Sequence, residues 1–376
     1  MTRIVLLFAS YGPYHLARIN SFQKHCVGRG WEAIGMELAR TEMEYPWKTE
    51  VKDLPIPIIS VIDDRPLEHA GFSYLICHLY HALTHIQPDV LAISGYGRPA
   101  MLAALGWSLW HRKPTVLFSE TTEADGVRSP WQEHLKRAIL KAYKAALVGG
   151  QMHHRYLVKL GMPAARIFSG YDVVDNQTFH PDCLKPLRRP IENPYFLSIS
   201  RFIPKKNLSF LLTAYTHYQQ QAGVDAWDLV LCGDGELRPQ IEQQITDLNL
   251  TSTVHLTGFL QERDLLPYLA HAYCFIHAST HEQWGLVVNE AMAAGLPVLV
   301  SNRCGCFADL VLEGVTGFGF DPENLSQLVD LMLKVSSGQI VLEPIAQAAL
   351  NHIQKFSPDA FAQGLTQAIE YALTHS

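Results

Sequence analysis

The stretch His281-Glu282-Gln283-Trp284-Gly285-Leu286-Val287-Val288-Asn289-Glu290-Ala291-Met292-Ala293-Ala294-Gly295-Leu296-Pro297-Val298 decides how the chain is read. From Leu286 the apolar residues recur at helical spacing, and Gly295-Leu296-Pro297 stops the helix. The apolar run Cys274–His277 before it reads as a strand, and Pro297–Val300 after it as the next. One glutamate, Glu282, therefore falls in the loop after a strand. The second, Glu290, falls in the second turn of the helix. The first turn of a helix leaves N–H groups unpaired and carries roughly half a positive charge, so the Gly285–Val288 amides suit a phosphate. A carboxylate at Glu290 suits vicinal ribose hydroxyls, and one at Glu282 suits hydroxyls of a transferred group.

The same alternation extends outward from this stretch. Toward the N-terminus run strand Tyr195–Ser200, helix Asn207–Gln219, strand Leu229–Cys232, helix Glu236–Leu248, strand Thr253–Leu256 and helix Glu262–Ala270. An earlier series holds strand Arg3–Phe8, helix Pro13–Cys26, strand Val90–Ser94, helix Pro99–Trp110, strand Thr115–Phe118, helix Trp131–Tyr143 and strand Ala146–Val148. Such alternation argues for parallel sheets covered by helices. Between the two series, Asp172–Pro190 is rich in Asp, Asn and Pro without a period and reads as a linker. The 376 residues thus predict an α/β chain of two facing doubly wound, Rossmann-like domains, 1–175 and 176–356. The last helix, about 357–376, is free to cross back onto the first. Sheets of this kind bind ligands at the carboxyl ends of their strands, which predicts a site in the cleft between the domains.

Composition narrows the function. Hydrophobic residues are 48% and charged residues 18%, which excludes global disorder. With 30 Lys+Arg against 36 Asp+Glu the net charge is −6, against broad nucleic-acid binding. No apolar run approaches a membrane span, and Ile4–Ala9 is too short for a signal peptide, so a cytoplasmic location is expected. The seven cysteines are odd in number and scattered, which is no disulfide framework. Cys304-Gly305-Cys306 lacks a second Cys/His pair at zinc-like spacing. His153-His154 reads as the surface of a helix. From 130 to 166 there are seven cations and one acid, Glu133, with Trp131, Leu135, Ile139 and Tyr143 at helical spacing. This is either a basic solvent face or a helix, near 131–147, for peripheral contact with the inner face of an anionic membrane.

A second constellation is Ser198-Ile199-Ser200-Arg201-Phe202-Ile203-Pro204-Lys205-Lys206-Asn207, which follows a strand and opens a helix. Arg201 and Lys206 supply two fixed cations, which is what a departing diphosphate needs. Lys205 reads as solvated.

Together these strings resemble retaining GT-B glycosyltransferases, in particular glycosyltransferase family 4. The first matches that family's Glu-x7-Glu signature, and Arg201 with Lys206 matches its Arg-x4-Lys element. Cys232-Gly233-Asp234-Gly235 resembles its Gly-x-Gly turn, Thr257-Gly258-Phe259-Leu260 its turn near the nucleotide base, and Gly314-Val315-Thr316-Gly317 its closing Gly-x-x-Gly. The resemblance is dense over Asp172–Asp321 and thin before it. It implies the GT-B architecture and transfer of a sugar, with retention, from a nucleotide-sugar donor, expected to be UDP-linked, to a hydroxyl acceptor. No metal and no cofactor are implied. Arg201, Lys206, Glu282 and Glu120 become the catalytic candidates. Gly12, Gly233, Phe259, Leu260, Gly285, Leu286, Val287 and Glu290 become the donor-binding candidates. The product would belong to a polysaccharide, a glycolipid or a metabolite glycoside.

The first domain departs from the pattern twice. Where family members often carry Gly-Gly after the first strand, only Gly12 matches here, and Pro13 has no N–H to donate, though it suits the first helical position. After strand Thr115–Phe118 the family's His is missing. Ser119-Glu120-Thr121-Thr122-Glu123-Ala124-Asp125-Gly126 instead offers Glu120, Glu123 and Asp125 for hydroxyls or proton transfer. His15 is a further acceptor-side candidate. A sugar-nucleotide epimerase and a non-catalytic nucleotide-sugar binder stay open as other readings of the same fold.

Overall fold

The computed structural model describes residues 1–43, 54, 56–126 and 129–375. Their backbone divides into two units, Met1–Asp175 with Phe356–Ser376, and Asn176–Lys355.

In the first unit the elements are β1 (Thr2–Phe8), α1 (Pro13–Cys26), β2 (Trp31–Ala39), β3 (Ile58–Ile62), α2 (Phe72–Ile86), β4 (Val90–Ser94), α3 (Pro99–Trp110), β5 (Thr115–Ser119), α4 (Pro130–Leu140), β6 (Ala145–Val148), α5 (Gln151–Lys159) and β7 (Ile167–Ser169). The seven strands are all parallel, in the order β3-β2-β1-β4-β5-β6-β7. Strands covered on both faces read as continuous apolar runs, and Ile4–Leu7, Val90–Ile93 and Val116–Phe118 are wholly buried. Helices α2 to α5 pack on one face of the sheet and α1 on the other.

Strands β2 and β3 and helix α2 were not legible in the sequence. In β2 the cause is Glu37, a charged residue buried in mid-sheet. It accepts from the Tyr11 N–H (2.8 Å), Ser60 Oγ (2.6 Å) and Arg40 Nη1 (2.9 Å), which offsets the cost of burying it. His153 is a correction to the surface reading. It is fully buried at the start of α5, where its Nδ1 accepts the Gly150 N–H at 3.1 Å.

The second unit holds α6 (Pro181–Leu184), β8 (Tyr195–Ile199), α7 (Leu208–Ala222), β9 (Asp228–Cys232), α8 (Arg238–Asp247), β10 (Val254–Gly258), α9 (Glu262–His271), β11 (Cys274–His277), α10 (Leu286–Ala293), β12 (Val298–Ser301), α11 (Phe307–Leu310), β13 (Gly317–Phe320), α12 (Leu325–Ser336) and α13 (Leu342–Ile353). Its six strands are parallel in the order β10-β9-β8-β11-β12-β13. The chain builds outward from β8 to β10, then restarts at β11 on the other side of β8. The point where strand order reverses therefore lies between β8 and β11. The Gly-x-x-Gly stretch leads into edge strand β13.

The chain then returns to the first unit as α14 (Pro358–Thr374). Pro358 takes the first helical position and Ser357 Oγ caps the Ala360 N–H at 3.4 Å. Phe361, Leu365, Ala368 and Ile369 bury one face of α14 against α1 and the sheet. Among the described residues no helix is long and apolar enough to cross a membrane.

At Gly364 a Cβ would lie 2.1 Å from the Ser169 carbonyl oxygen of β7. Gly364→Ala is expected to cost about 1–3 kcal/mol through overpacking. Urea unfolding checks this against the exposed neighbour Gln363→Ala, which should leave the midpoint in place.

Candidate functional site

The loops leaving β8 and β11 meet at the reversal of strand order. The first runs through a 3-10 turn, Pro204–Lys206, and the second through Ala278–Gly285. The Thr280 N–H donates to the Lys205 carbonyl at 2.8 Å and locks the two together. Lys205 Nζ then lies 3.0 Å from Glu282 Oε1, and Lys206 Nζ forms a close ion pair with Glu282 Oε2. Ser279 Oγ donates to Glu282 Oε2 at 3.5 Å, and His277 Nε2 stands 3.8 Å from the same oxygen. The sequence reading left Lys205 in solvent. The structure pairs it, because the turn that delivers Lys206 also presents its neighbour to the same carboxylate.

A third segment braces this pair from the end of β12. Gly305 N–H donates to the Glu282 carbonyl (2.9 Å) and Cys306 N–H to the Trp284 carbonyl (3.2 Å). A Cβ at Gly305 would stand 1.7 Å from the Gln283 carbonyl oxygen, so only glycine lets the segments approach. Trp284 Nε1 donates to Asn289 Oδ1 at 2.8 Å, fixing the loop to α10. Gly285, at φ 108°, makes the left-handed step into α10. Leu286 and Val287 form the first turn of that helix, and Glu290 is buried one turn further on.

The charge balance follows from this geometry. Burial works to raise the Glu282 carboxyl, but His277, Lys206 and Lys205 outweigh it and hold it well below the usual carboxylate range. Burial pulls the Lys206 ammonium below its ordinary value, against the attraction of Glu282. His277 is lowered by its burial. Burial, then the Glu282 charge, pushes the Cys304 thiol up to about 12, and Cys306 lies well above its ordinary value.

Other residues singled out in the sequence line the carboxyl edge of this sheet. Arg201 is half-buried at the start of the β8 loop. Gly233 follows β9, and Phe259 and Leu260 follow β10, with Phe259 exposed. Gly233 has a packing reason of its own: a Cβ there would meet the Ser200 carbonyl oxygen at 1.8 Å.

In the first unit the candidates separate. Gly12 N–H donates to His15 Nδ1 at 3.1 Å, so this amide closes its own helix start instead of standing open for a phosphate. Burial, then Arg18, lowers His15 to about 3, which keeps it neutral, and its ring packs 4.4 Å from Phe8. Glu120 follows β5, two strands from β1. Glu123 pairs with Lys159, and both are exposed. Asp125 is spent on its own turn, accepting from the Thr122 N–H (2.8 Å) and Oγ1 (2.6 Å). Lys205, His277 and Gly305 are the site residues that sequence reasoning missed. Lys205 abuts Lys206, but no local signal marks the other two.

Residues 184–352 match the family model described as Glycosyl transferases group 1. The chain is 34% identical over 116 residues to the 2-deoxystreptamine N-acetyl-D-glucosaminyltransferase of Niallia circulans, covering 31% of this chain and 30% of that protein. It is 28% identical over 199 residues to the amylovoran biosynthesis glycosyltransferase AmsK of Erwinia amylovora, covering 51% of this chain and 47% of that protein. The matches thus span about a third to a half of these curated relatives. Among solved structures, Anabaena Alr3699/HepE in complex with UDP-glucose superposes with a TM-score of 0.74 at 20% identity, covering 98% of this chain and 100% of that one. That likeness shows the fold, an α/β chain of two parallel-sheet, Rossmann-like units as in GT-B structures. The matched residues 184–352 lie in the second unit, and the Lys205–Lys206–Glu282 cluster lies within them.

Glu282→Gln leaves the largely buried Lys206 ammonium and the part-exposed Lys205 ammonium without their carboxylate and is expected to destabilise the second unit by about 3 kcal/mol at pH 7. The folded carboxyl is depressed, so its contribution is complete above the unfolded value of about 4.3 and fades as pH falls below that. Urea midpoints should therefore differ between parent and variant at pH 7 and converge toward pH 3.

Proposed function

We propose that the chain is a retaining glycosyltransferase that moves a sugar from a nucleotide-sugar donor to a hydroxyl acceptor. The observation that carries this reading is the Lys205–Lys206–Glu282 cluster at the reversal of strand order, inside the matched domain. The UDP-glucose bound to the Anabaena neighbour supports a UDP-linked donor.

In this reading Arg201, Lys206 and the amides at the start of α10 hold the donor diphosphate, and Glu290 holds the ribose. A diphosphate gives Lys206 a second anionic partner, which frees one oxygen of Glu282 for a sugar hydroxyl. The bond between the anomeric carbon and the phosphate oxygen breaks while the acceptor oxygen forms its bond on the same face. The acceptor proton passes to the departing phosphate oxygen. Negative charge grows on the diphosphate in this step, and fixed cations in a shielded site stabilise it most. The positive charge comes from the chain, so the reading calls for no metal. Glu120 is the candidate of the first unit that this reading places toward the acceptor, with His15 a weaker one because its Nδ1 already accepts the Gly12 N–H.

Arg201→Ala is expected to lower turnover by roughly 10²–10³-fold, as for loss of one charge-stabilising donor. Near-normal turnover in that variant would remove Arg201 from the reaction. A thermal-shift screen of UDP-, GDP- and ADP-sugars should single out the UDP series, with stabilisation of roughly 2.7 kcal/mol at 100 times Kd. An epimerised sugar nucleotide formed without acceptor would replace transfer by epimerisation.

A further inference from the structure

Helices α2 and α3 lie side by side on one face of the first unit's sheet, joined by a hydrogen bond from Trp107 Nε1 to Thr84 Oγ1 at 3.1 Å. Over their fifteen and twelve residues neither contains an Asp, Glu, Lys or Arg. A helix on the surface of a soluble domain ordinarily turns a charged stripe to water. Here the outward stripe of α3 is apolar: Leu102, Leu109 and Trp110 at i, i+7 and i+8, with Gly106 between. Leu109 is 55% and Trp110 86% exposed. Phe72, Tyr74 and Tyr80 are exposed on α2.

The same face also carries exposed cations. Helix α4 packs on it and exposes Trp131 (66%) and Leu135 (49%). From 130 to 166 there are seven cations and one acid, Glu133. That acid is already engaged, accepting from Lys136 Nζ (3.0 Å) and the Tyr156 hydroxyl (2.7 Å). Arg112 is exposed just beyond Trp110.

We propose that this face of the first unit is a binding surface for an anionic lipid bilayer. Leu109 and Trp110 enter the headgroup boundary, and the exposed Arg112, Arg137 and Lys141 lie over the anionic headgroups. Exposed Trp and Tyr favour the boundary between water and hydrocarbon, apolar side chains gain by burial there, and Lys and Arg are drawn to acidic lipid. The contact centre is thus the uncharged helix α3, with the basic helix α4 beside it. A second copy docking through the same face would set the exposed Arg112, Arg137 and Lys141 against a surface in which cations outnumber acids and the nearby acids Glu123 and Glu133 are already paired with Lys159 and Lys136, so charge complementarity selects the lipid.

Co-sedimentation of the full chain with vesicles tests this. One set is phosphatidylcholine alone, the other phosphatidylcholine with an equal share of phosphatidylglycerol. The chain is expected to bind the mixed vesicles, less so as salt is added. Leu109→Glu combined with Trp110→Glu should weaken that binding roughly tenfold or more. Should this variant not fold, Leu109→Gln with Trp110→Ser serves in its place. Three results would overturn the proposal: no binding to either vesicle, binding unchanged in the double variant, or a lipid-free dimer that the double variant dissociates. Vesicle binding needs neither donor nor turnover, so its failure and the failure of the transferase reading are told apart.

Discussion

The ion pair of Lys206 with Glu282 is the constraint around which the loops of the second unit are arranged. Taking two such charges out of water costs several kcal/mol each, and their attraction offsets this only when the remaining polar positions are met. Here Lys205 meets the second carboxylate oxygen, with Ser279 and His277 beside the first. That requires segments from the ends of three strands, β8, β11 and β12, to converge. Each arrives by a local backbone device: the turn at Pro204–Lys206, the left-handed step at Gly285, and the bare Cα of Gly305.

The topology explains why convergence happens there. Where strand order reverses, the loops from adjacent strands run off to opposite sides and leave an opening at the carboxyl edge. In the second unit that opening receives two ammonium groups, a carboxylate and the start of α10. This mixture suits a ligand with both anionic and hydroxyl groups. The first unit has its own reversal, between β1 and β4, and uses it differently. There the Gly12 amide is consumed by His15, and a neutral imidazole packs on Phe8. Equivalent positions in two similar sheets thus offer different chemistry, because one helix start is capped by its own side chain and the other is not.

Legibility in the sequence followed the range of the interactions involved. The β-α alternation was readable because buried parallel strands announce themselves as apolar runs. The Glu-x7-Glu and Arg-x4-Lys strings were readable because loop, glycine and helix start are neighbours in the chain. What stayed hidden depends on distant partners. Lys205 gains its role from a carboxylate 77 residues away. Gly305 gains its role from the Gln283 carbonyl packed on it. His153 is buried because Gly149, beside its cap, has no side chain where Asp172 packs: a Cβ there would lie 1.9 Å from Asp172 Oδ2. Strand β2 was masked by Glu37, whose charge is tolerated only through donors from three separate segments.

If the cluster holds the donor diphosphate as proposed, its charges are kept ready for an anion without collapsing. Two ammonium groups face one carboxylate, so the site holds more positive charge than the carboxylate neutralises. Such an excess is tolerable because Lys205 keeps part of its side chain in water and because the braces at Gly305 and Trp284 hold the loop in place. A ligand that brings negative charge therefore relieves a repulsion already built into the fold. The cost of holding the cations near each other is met by the folded unit, and the gain appears when the anion arrives. For the proposed transfer this is electrostatic preorganisation in the physical sense: charges aligned before the reaction need not be rearranged during it.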